Sequence, residues 1–232
     1  MYHYKYPHAA MTTDSVVFGF DGKCLHILLV ERGGEPCKGM WALPGGFLNM
    51  DETVEECAAR ELKEETSVDN IYLEQFHVFS RVDRDPRERV LTVAFLALVR
   101  KADYHVIAGD DANKAMWFEA DQLPPLAFDH REIIAMARQR LQTILQTRPI
   151  AFRLLDEKFS MAELQHIFEA INGVAYDRRN FARKMASSGF LRDEGISTVA
   201  VHNRFPRLYS FDEDAYSKNK APLPTDRSPF GL

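Results

Sequence analysis

Hydrophobic residues follow two kinds of pattern along this chain, and the switches between them mark its elements. Residues 11–20 (MTTDSVVFGF) and 24–32 (CLHILLVER) are runs of β-branched, aromatic and aliphatic residues. Asp21-Gly22 between them favours a tight turn, so the pair predicts a β-hairpin. His26, among Leu25, Ile27 and Leu28, reads as a strand residue rather than a ligand. Further strands are predicted over Ile71–Phe79, Val90–Val99 and, more briefly, Ala115–Glu119. From about Thr53 the period lengthens: Val54, Cys57, Ala58 and Leu62 recur at helical spacing. A second helix is predicted from about Asp129 to Gln146, with Ile133, Ile134, Ala137, Leu141, Ile144 and Leu145 on one stripe. The stripe serves packing, a dimer seam or a lever to a second domain. Thr147-Arg148-Pro149 ends this helix, because a residue before proline avoids the helical region. Strands around one helix, then a second helix, give an α+β unit over residues 1–148.

Past a boundary at 148–155 the pattern is mainly helical. Ser160-Met161-Ala162-Glu163 fits a capping box. Leu164, Ile167, Phe168 and Ile171 come next, and Asn172-Gly173 is a stop signal. Asp177 caps a second helix, RRNFARKMASS, which turns Phe181 and Met185 inward and ends at Gly189. Arg178, Arg179, Arg183 and Lys184 lie near its start and on its outer face. Two short β segments come after, Phe190-Leu191 and Arg207–Phe211. Helix, tight turn, basic helix and hairpin form a small winged helix-turn-helix over 155–217. Its basic helix would enter a major groove, with Arg192, Arg204 and Arg207 on or beside the wing. The alternative is a small domain for protein contacts. Residues 218–232, rich in proline and polar side chains, are expected to be disordered.

Charge sharpens this division. Residues 1–150 hold 17 Lys+Arg and 23 Asp+Glu, net −6, whereas residues 151–232 hold 12 and 11, net +1. From Tyr176 to Arg207 seven basic residues face three acidic ones, a local footprint for phosphates. Cys24, Cys37 and Cys57 are scattered and show no metal or disulfide spacing, which suits a reducing cytoplasm. Cys57 falls on the apolar helix face and reads as core. No apolar run is long enough to span a membrane, and the N-terminus lacks the regions of a signal peptide. A soluble cytoplasmic protein is expected.

The chemistry concentrates in GGFLNMDETVEECAARELKEETSV, residues 45–68. Gly45 and Gly46 let the backbone bend sharply. Glu61, Glu64 and Glu65 share one face of the adjoining helix. Like charges at that spacing repel, so the cluster suits a hard divalent cation, Mg2+ or Mn2+. Arg60 is placed one turn before Glu64 to orient it, and Glu52 lies in the entry loop. Gly46, Glu52, Arg60-Glu61-Leu62-Lys63-Glu64-Glu65 and Val68 together resemble the box of the Nudix pyrophosphohydrolases at every defined position but one. That family has Gly where this chain has Ser67. Gly adopts a left-handed conformation freely and other residues do so at a cost of roughly 1 kcal/mol or more. A slightly altered loop is therefore expected, with the metal ligands Glu61, Glu64 and Glu65 intact. The resemblance covers roughly residues 10–146 and implies a Nudix fold, a mixed sheet between helices.

Between two predicted strands, residues 80–89 (SRVDRDPRER) carry four arginines. Two readings fit: a solvated, internally paired loop, or phosphate and ribose recognition through guanidinium forks. The segment resembles the Asp-Pro-Arg-x-Arg stretch of Nudix proteins that take ADP-ribose and related dinucleotides. Arg84, Arg87 and Arg89 are the candidates, Arg89 foremost because it borders the strand. A Nudix domain joined to FSMAELQHIFEAINGVAYDRRNFARKMASSGFL resembles the Nudix-related transcription regulators. The resemblance implies a transcription regulator whose Nudix domain senses an ADP-ribose-like or sugar-derived metabolite; a symmetric homodimer would then set two basic helices on double-stranded DNA. The rival reading is a metal-dependent hydrolase. There Glu61, Glu64 and Glu65 hold Mg2+, Arg60 positions them and Glu52 supports the loop.

Overall fold

The computed structural model describes residues 5–108, 112–200 and 205–218. The chain divides into two compact units, Met1–Arg138 and Gln139–Leu232. In the first, β1 (Ala10–Phe20) and β2 (Leu25–Arg32) form the expected hairpin, with Phe18 opposite Ile27 and Phe20 opposite Leu25. Asp21 makes the turn: its Oδ1 accepts from the Lys23 and Cys24 N–H groups at 2.9 and 2.7 Å. β1 then pairs in parallel with β5 (Val90–Arg100), from Ala10 opposite Val90 to Phe20 opposite Arg100. β4 (Glu74–Phe79) flanks β5, and β3 (Trp41–Ala42) and β6 (Ala112–Glu119) both pair with β2. One parallel pair among antiparallel neighbours makes this a mixed sheet.

Helix α1 (Val54–Thr66) begins at a capping box between Thr53 and Glu56. Its Leu62 joins Val17, Leu28, Val68, Ala97 and Val99 in a buried cluster on one sheet face. Ile71 and Leu73 pack against that cluster as loop residues, so β4 starts at Glu74 and not at Ile71. Ser67 caps α1 at φ 60, ψ 13, and its N–H donates to the Lys63 carbonyl. Serine therefore holds a left-handed conformation at this position, the region that glycine adopts freely. The second helix, α2 (His130–Thr147), buries Ile133, Ile134 and Ala137 before the unit boundary and Leu141, Ile144 and Leu145 after it. The division between units thus falls inside α2, upstream of Pro149.

The second unit contains β7 (Phe159–Ser160), α3 (Met161–Asn172), α4 (Arg178–Ser187), β8 (Leu191–Ile196), β9 (Arg207–Phe211) and α5 (Glu213–Lys218). Both expected caps form: Ser160 and Glu163 make a capping box, and Asp177 accepts from the Asn180 N–H. Gly173 ends α3 at φ 70, a conformation costly for other residues. Phe168, Phe181 and Met185 are buried, and the two phenylalanine rings meet edge to face at 5.4 Å. The three strands order as β7-β9-β8. Lys218 ends α5, and the rest of the expected tail lies outside the described residues. No described helix is long and apolar enough to cross a membrane.

Candidate functional site

The loop from Trp41 to Gly46 is laid along the start of β1, where Thr13 and Ser15 N–H groups donate to the Gly46 and Pro44 carbonyls. Only glycine fits its end. A Cβ on Gly45 would lie 1.9 Å from the Thr13 carbonyl oxygen, and one on Gly46 would lie 2.3 Å from Glu61 Oε1. This close approach brings the backbone against the acidic face of α1. The Gly45 N–H donates to Glu65 Oε2 at 2.9 Å.

Arg60 organises the remaining acids. Its Nε and Nη2 donate to both oxygens of Glu52 at 2.9 and 2.7 Å, and its Nη1 to Glu61 at 2.9 Å and Glu64 at 3.0 Å. That bidentate grip holds the Glu52 carboxyl down at about 2. Burial pushes the Glu61 carboxyl up, and it pushes Glu65 up to about 8, partly offset by the Gly45 N–H. Glu61 and Glu65 line a cavity of about 440 Å³, within the range of small-molecule sites. Glu64 is half-exposed and turned to Arg60, outside the lining. Among the described residues, no group of three or more acidic, His or Cys side chains is close enough to hold a metal. The donor chemistry nevertheless fits a hard divalent ion. Two partly desolvated carboxylates face one cavity, and Arg60 is the cation bonded to Glu61 there.

The arginine loop divides its labour. Arg84 is buried: its Nε and Nη2 donate to Asp129 at 3.0 and 2.8 Å, and Nη2 reaches Asp14 at 3.3 Å. Its fork is thereby occupied by protein carboxylates. Arg87 lines the cavity, whereas Arg89 donates to the Arg81 carbonyl and lies outside the lining. His130 Nδ1 accepts the Leu43 N–H at 2.8 Å, so Nε2 carries the proton and faces Asp14 at 3.5 Å. Burial pushes the His130 pKa down, and the imidazole is neutral.

In the second unit, Arg178, Arg179, Arg183 and Lys184 are all exposed on α4, and none forms an ion pair among the described residues. Arg183 Nη2 donates to Asn180 Oδ1 at 2.9 Å. The turn before α4 is fixed from α3: Glu169 accepts the Tyr176 N–H at 2.8 Å, and Gln165 donates to the Tyr176 carbonyl at 2.9 Å. On the wing, Arg192 is held bidentately by Asp212 at 2.7 and 2.8 Å, and Arg207 pairs with Asp193. Their charge is largely compensated within the protein. Arg204 lies outside the described residues.

Residues 9–137 match the NUDIX domain family, and residues 151–211 match the NrtR DNA-binding winged helix domain. The chain belongs to the NrtR family of Nudix-domain transcription regulators. It is 35% identical to the ADPR responsive transcriptional repressor NtrR of Acinetobacter baylyi, over 92% of this chain and 86% of that protein. It is 43% identical to an ADP-ribose pyrophosphatase of Methanocaldococcus jannaschii, over 56% of this chain and 73% of that one. Among solved structures it resembles Shewanella oneidensis NrtR complexed with a 27mer DNA, at a TM-score of 0.68 and 31% identity. That likeness covers 89% of this chain and 95% of the other. Hydrolases of the Nudix family generally use divalent metal ions.

Several site residues were not singled out from the sequence: Asp14, Asp129, His130, Arg32, Phe47 and Phe128. Asp14 carried a signal, a lone charge within the apolar run MTTDSVVFGF, where burial demands a partner. Asp129 and His130 looked like an ordinary helix start.

Proposed function

We propose that this protein is a transcriptional repressor whose grip on DNA is set by a nucleoside diphosphate sugar of the ADP-ribose type. Residues 1–148 act as the sensor and 155–217 as the DNA-binding domain. One observation carries the reading. A cavity with two box carboxylates and an arginine in its wall shares a chain with a basic helix whose cations have no carboxylate partners among the described residues. The relatives' ligand and DNA support it. Glu61, Glu64 and Glu65 would hold Mg2+ or Mn2+, which shields the diphosphate charge. Glu64 reaches such an ion by turning away from Arg60. Gly45 and Gly46 shape the floor against which the diphosphate rests, and Arg87 stands at the wall. Arg178, Arg179, Arg183 and Lys184 meet phosphates and base edges. A cytoplasmic homodimer would set two α4 helices about one duplex turn apart, ~34 Å. The test is a gel shift with DNA from upstream of the protein's own gene, titrated with ADP-ribose. Retention of the shift at saturating ADP-ribose and Mg2+, or no shift at low salt, rejects the reading.

A second reading is favoured by the intact box and by the 43% identity to a pyrophosphatase. In it the same carboxylates support hydrolysis of the bound diphosphate to AMP and ribose 5-phosphate. Arg60 keeps Glu61 in place, and Glu52 anchors Arg60. The measurement is Mg2+-dependent AMP release, and equal release by wild type and Glu64→Gln sinks this second reading.

A further inference from the structure

The loop that carries Gly45 and Gly46 is clamped from two sides. On one side β1 holds it: the Ser15 and Thr13 N–H groups donate to the Pro44 and Gly46 carbonyls at 2.8 and 3.0 Å. On the other side runs the segment that enters α2. Leu126 bridges Trp41, and the Ala127 N–H donates to the Trp41 carbonyl at 2.8 Å. Leu43 is buried, so its N–H has to find an acceptor inside the protein. His130 Nδ1 supplies that acceptor at 2.8 Å, from 87 residues further along the chain. A series of buried groups then fixes the imidazole. Nε2 faces Asp14, Asp14 accepts from Arg84, and Arg84 is gripped by Asp129, the residue beside His130. His130, Asp14 and Arg84 are each at most 6% exposed, and all three line the cavity. Phe128, just before them, sits at φ 50, where a bulky residue is an outlier. Strain of that kind gathers at functional sites and has to be upheld by the surroundings.

We infer that His130 is a positioning residue for the metal-binding wall: by accepting the Leu43 N–H it sets where the loop stands, and with it the Gly45 N–H that aims the Glu65 carboxylate. Leu43 lies two residues before Gly45, whose N–H holds Glu65 Oε2 at 2.9 Å. That bond occupies one carboxylate oxygen and leaves the other for a cation. The inference rests on reading Glu61 and Glu65 as metal ligands, and it adds a residue of α2 to the groups that make them one site. Hydrogen-bond partners behind a metal ligand orient it, and losing one typically costs about 10–100-fold in metal affinity. Here the partner of Glu65 is a backbone amide, which no substitution at Gly45 can remove. What a side chain can control is the place of that amide, and His130 provides such a side chain.

The test uses the full chain and the metal alone, apart from any turnover. Electron paramagnetic resonance of free Mn2+ gives the affinity of wild type, His130→Leu and His130→Asn. Leucine keeps similar bulk without an acceptor, whereas asparagine places an amide oxygen where Nδ1 lies. His130→Leu should bind Mn2+ about 10–100-fold more weakly, and His130→Asn should recover most of that loss. A second measurement needs no variant. In wild type, NMR should show the Leu43 and Gly45 amides and the His130 ring nitrogens shifting together as Mg2+ is added. A role in stability alone would lower the melting temperature of His130→Leu and leave its Mn2+ affinity as in wild type. That result, or equal Mn2+ loss in both variants, or ring nitrogens unmoved at saturating Mg2+, overturns the positioning role and leaves the metal reading standing. Failure of wild type to bind Mn2+ removes the metal reading, and the role of His130 with it.

Discussion

Ser67 holds a left-handed conformation at the end of α1 with only an exposed hydroxyl contact to the Ile107 carbonyl at 3.3 Å. A Cβ there costs roughly 1 kcal/mol or more. Glycine would remove that cost and add some unfolded-state entropy. Ser67→Gly should therefore raise stability by about 0.5 kcal/mol in denaturant titrations, and a loss would contradict the strain argument. His130 makes a pH-dependent contribution. Burial lowers its folded pKa below 6.5; Asp14 and Asp129 face it and favour its protonation, Arg84 and Arg32 oppose it, and burial outweighs the carboxylates. The unfolded chain then takes up a proton at pH values where the native state does not. Stability should be constant in this respect above pH 6.5 and fall as pH drops below it, by at most about 1.4 kcal/mol per pH unit. His130→Gln, which keeps an acceptor for the Leu43 N–H, should flatten that slope. An unchanged slope would place the titration elsewhere. None of this was legible at His130 itself. Asp14 lies 70 residues from Arg84, and Asp129 lies 45 residues from it, so the sequence could not say which arginine they bury.

Helices and the hairpin were readable because their signals are local. Thr53, Ser160 and Asp177 cap the helices that the apolar period begins, and Gly173 ends α3 where Asn172-Gly173 said it would. The two-residue strands were not. β3 exists because Val30 lies opposite Ala42, and β7 because Phe159 lies opposite Tyr209, pairings that leave no mark on the short segment itself. The division of α4 into two faces was legible and has consequences. Phe181 and Met185 are fully buried, so truncating Phe181 to Ala should destabilise the domain by roughly 3–5 kcal/mol. Arg183 is exposed and bonded only to Asn180 among the described residues. Arg183→Ala should leave the melting temperature unchanged while weakening binding to the operator. The form of the loss separates its roles. A phosphate contact lowers affinity for all sequences and reduces the salt slope by about 1, whereas a base contact costs about 1–3 kcal/mol on the operator alone. An Arg183→Ala protein that binds the operator like wild type would remove α4 from the interface.

At the scale of the whole chain, net charges of −6 and +1 in residues 1–150 and 151–232 confine attraction for duplex phosphates to the second part. Arg192 and Arg207 are compensated by Asp212 and Asp193, which leaves the cations of α4 as those without a carboxylate partner among the described residues of the basic helix and wing. About four phosphate contacts per chain predict a salt slope near −3.6 per protomer, at about 0.9 for each phosphate. Such a grip is weak for one chain and steep for two, which is what makes it open to control. Control itself is a thermodynamic statement. A ligand in the Nudix cavity can release DNA only if it binds the DNA-free protein more tightly than the complex. Linkage then fixes the converse: if saturating ADP-ribose weakens operator binding by some factor, saturating operator must weaken ADP-ribose by that same factor. Typical couplings of about 1–3 kcal/mol put the factor between roughly 5 and 150. Two independent titrations decide it, calorimetry of ADP-ribose with and without a saturating duplex, and fluorescence anisotropy of the duplex with and without ADP-ribose. A non-hydrolysable analogue, or Glu64→Gln protein, keeps the ligand intact during both. Equal factors that differ clearly from unity mean that ligand binding by itself sets the DNA grip. A factor of about 1 in both titrations with intact ligand would rule out control by binding alone and shift control to turnover of the bound diphosphate.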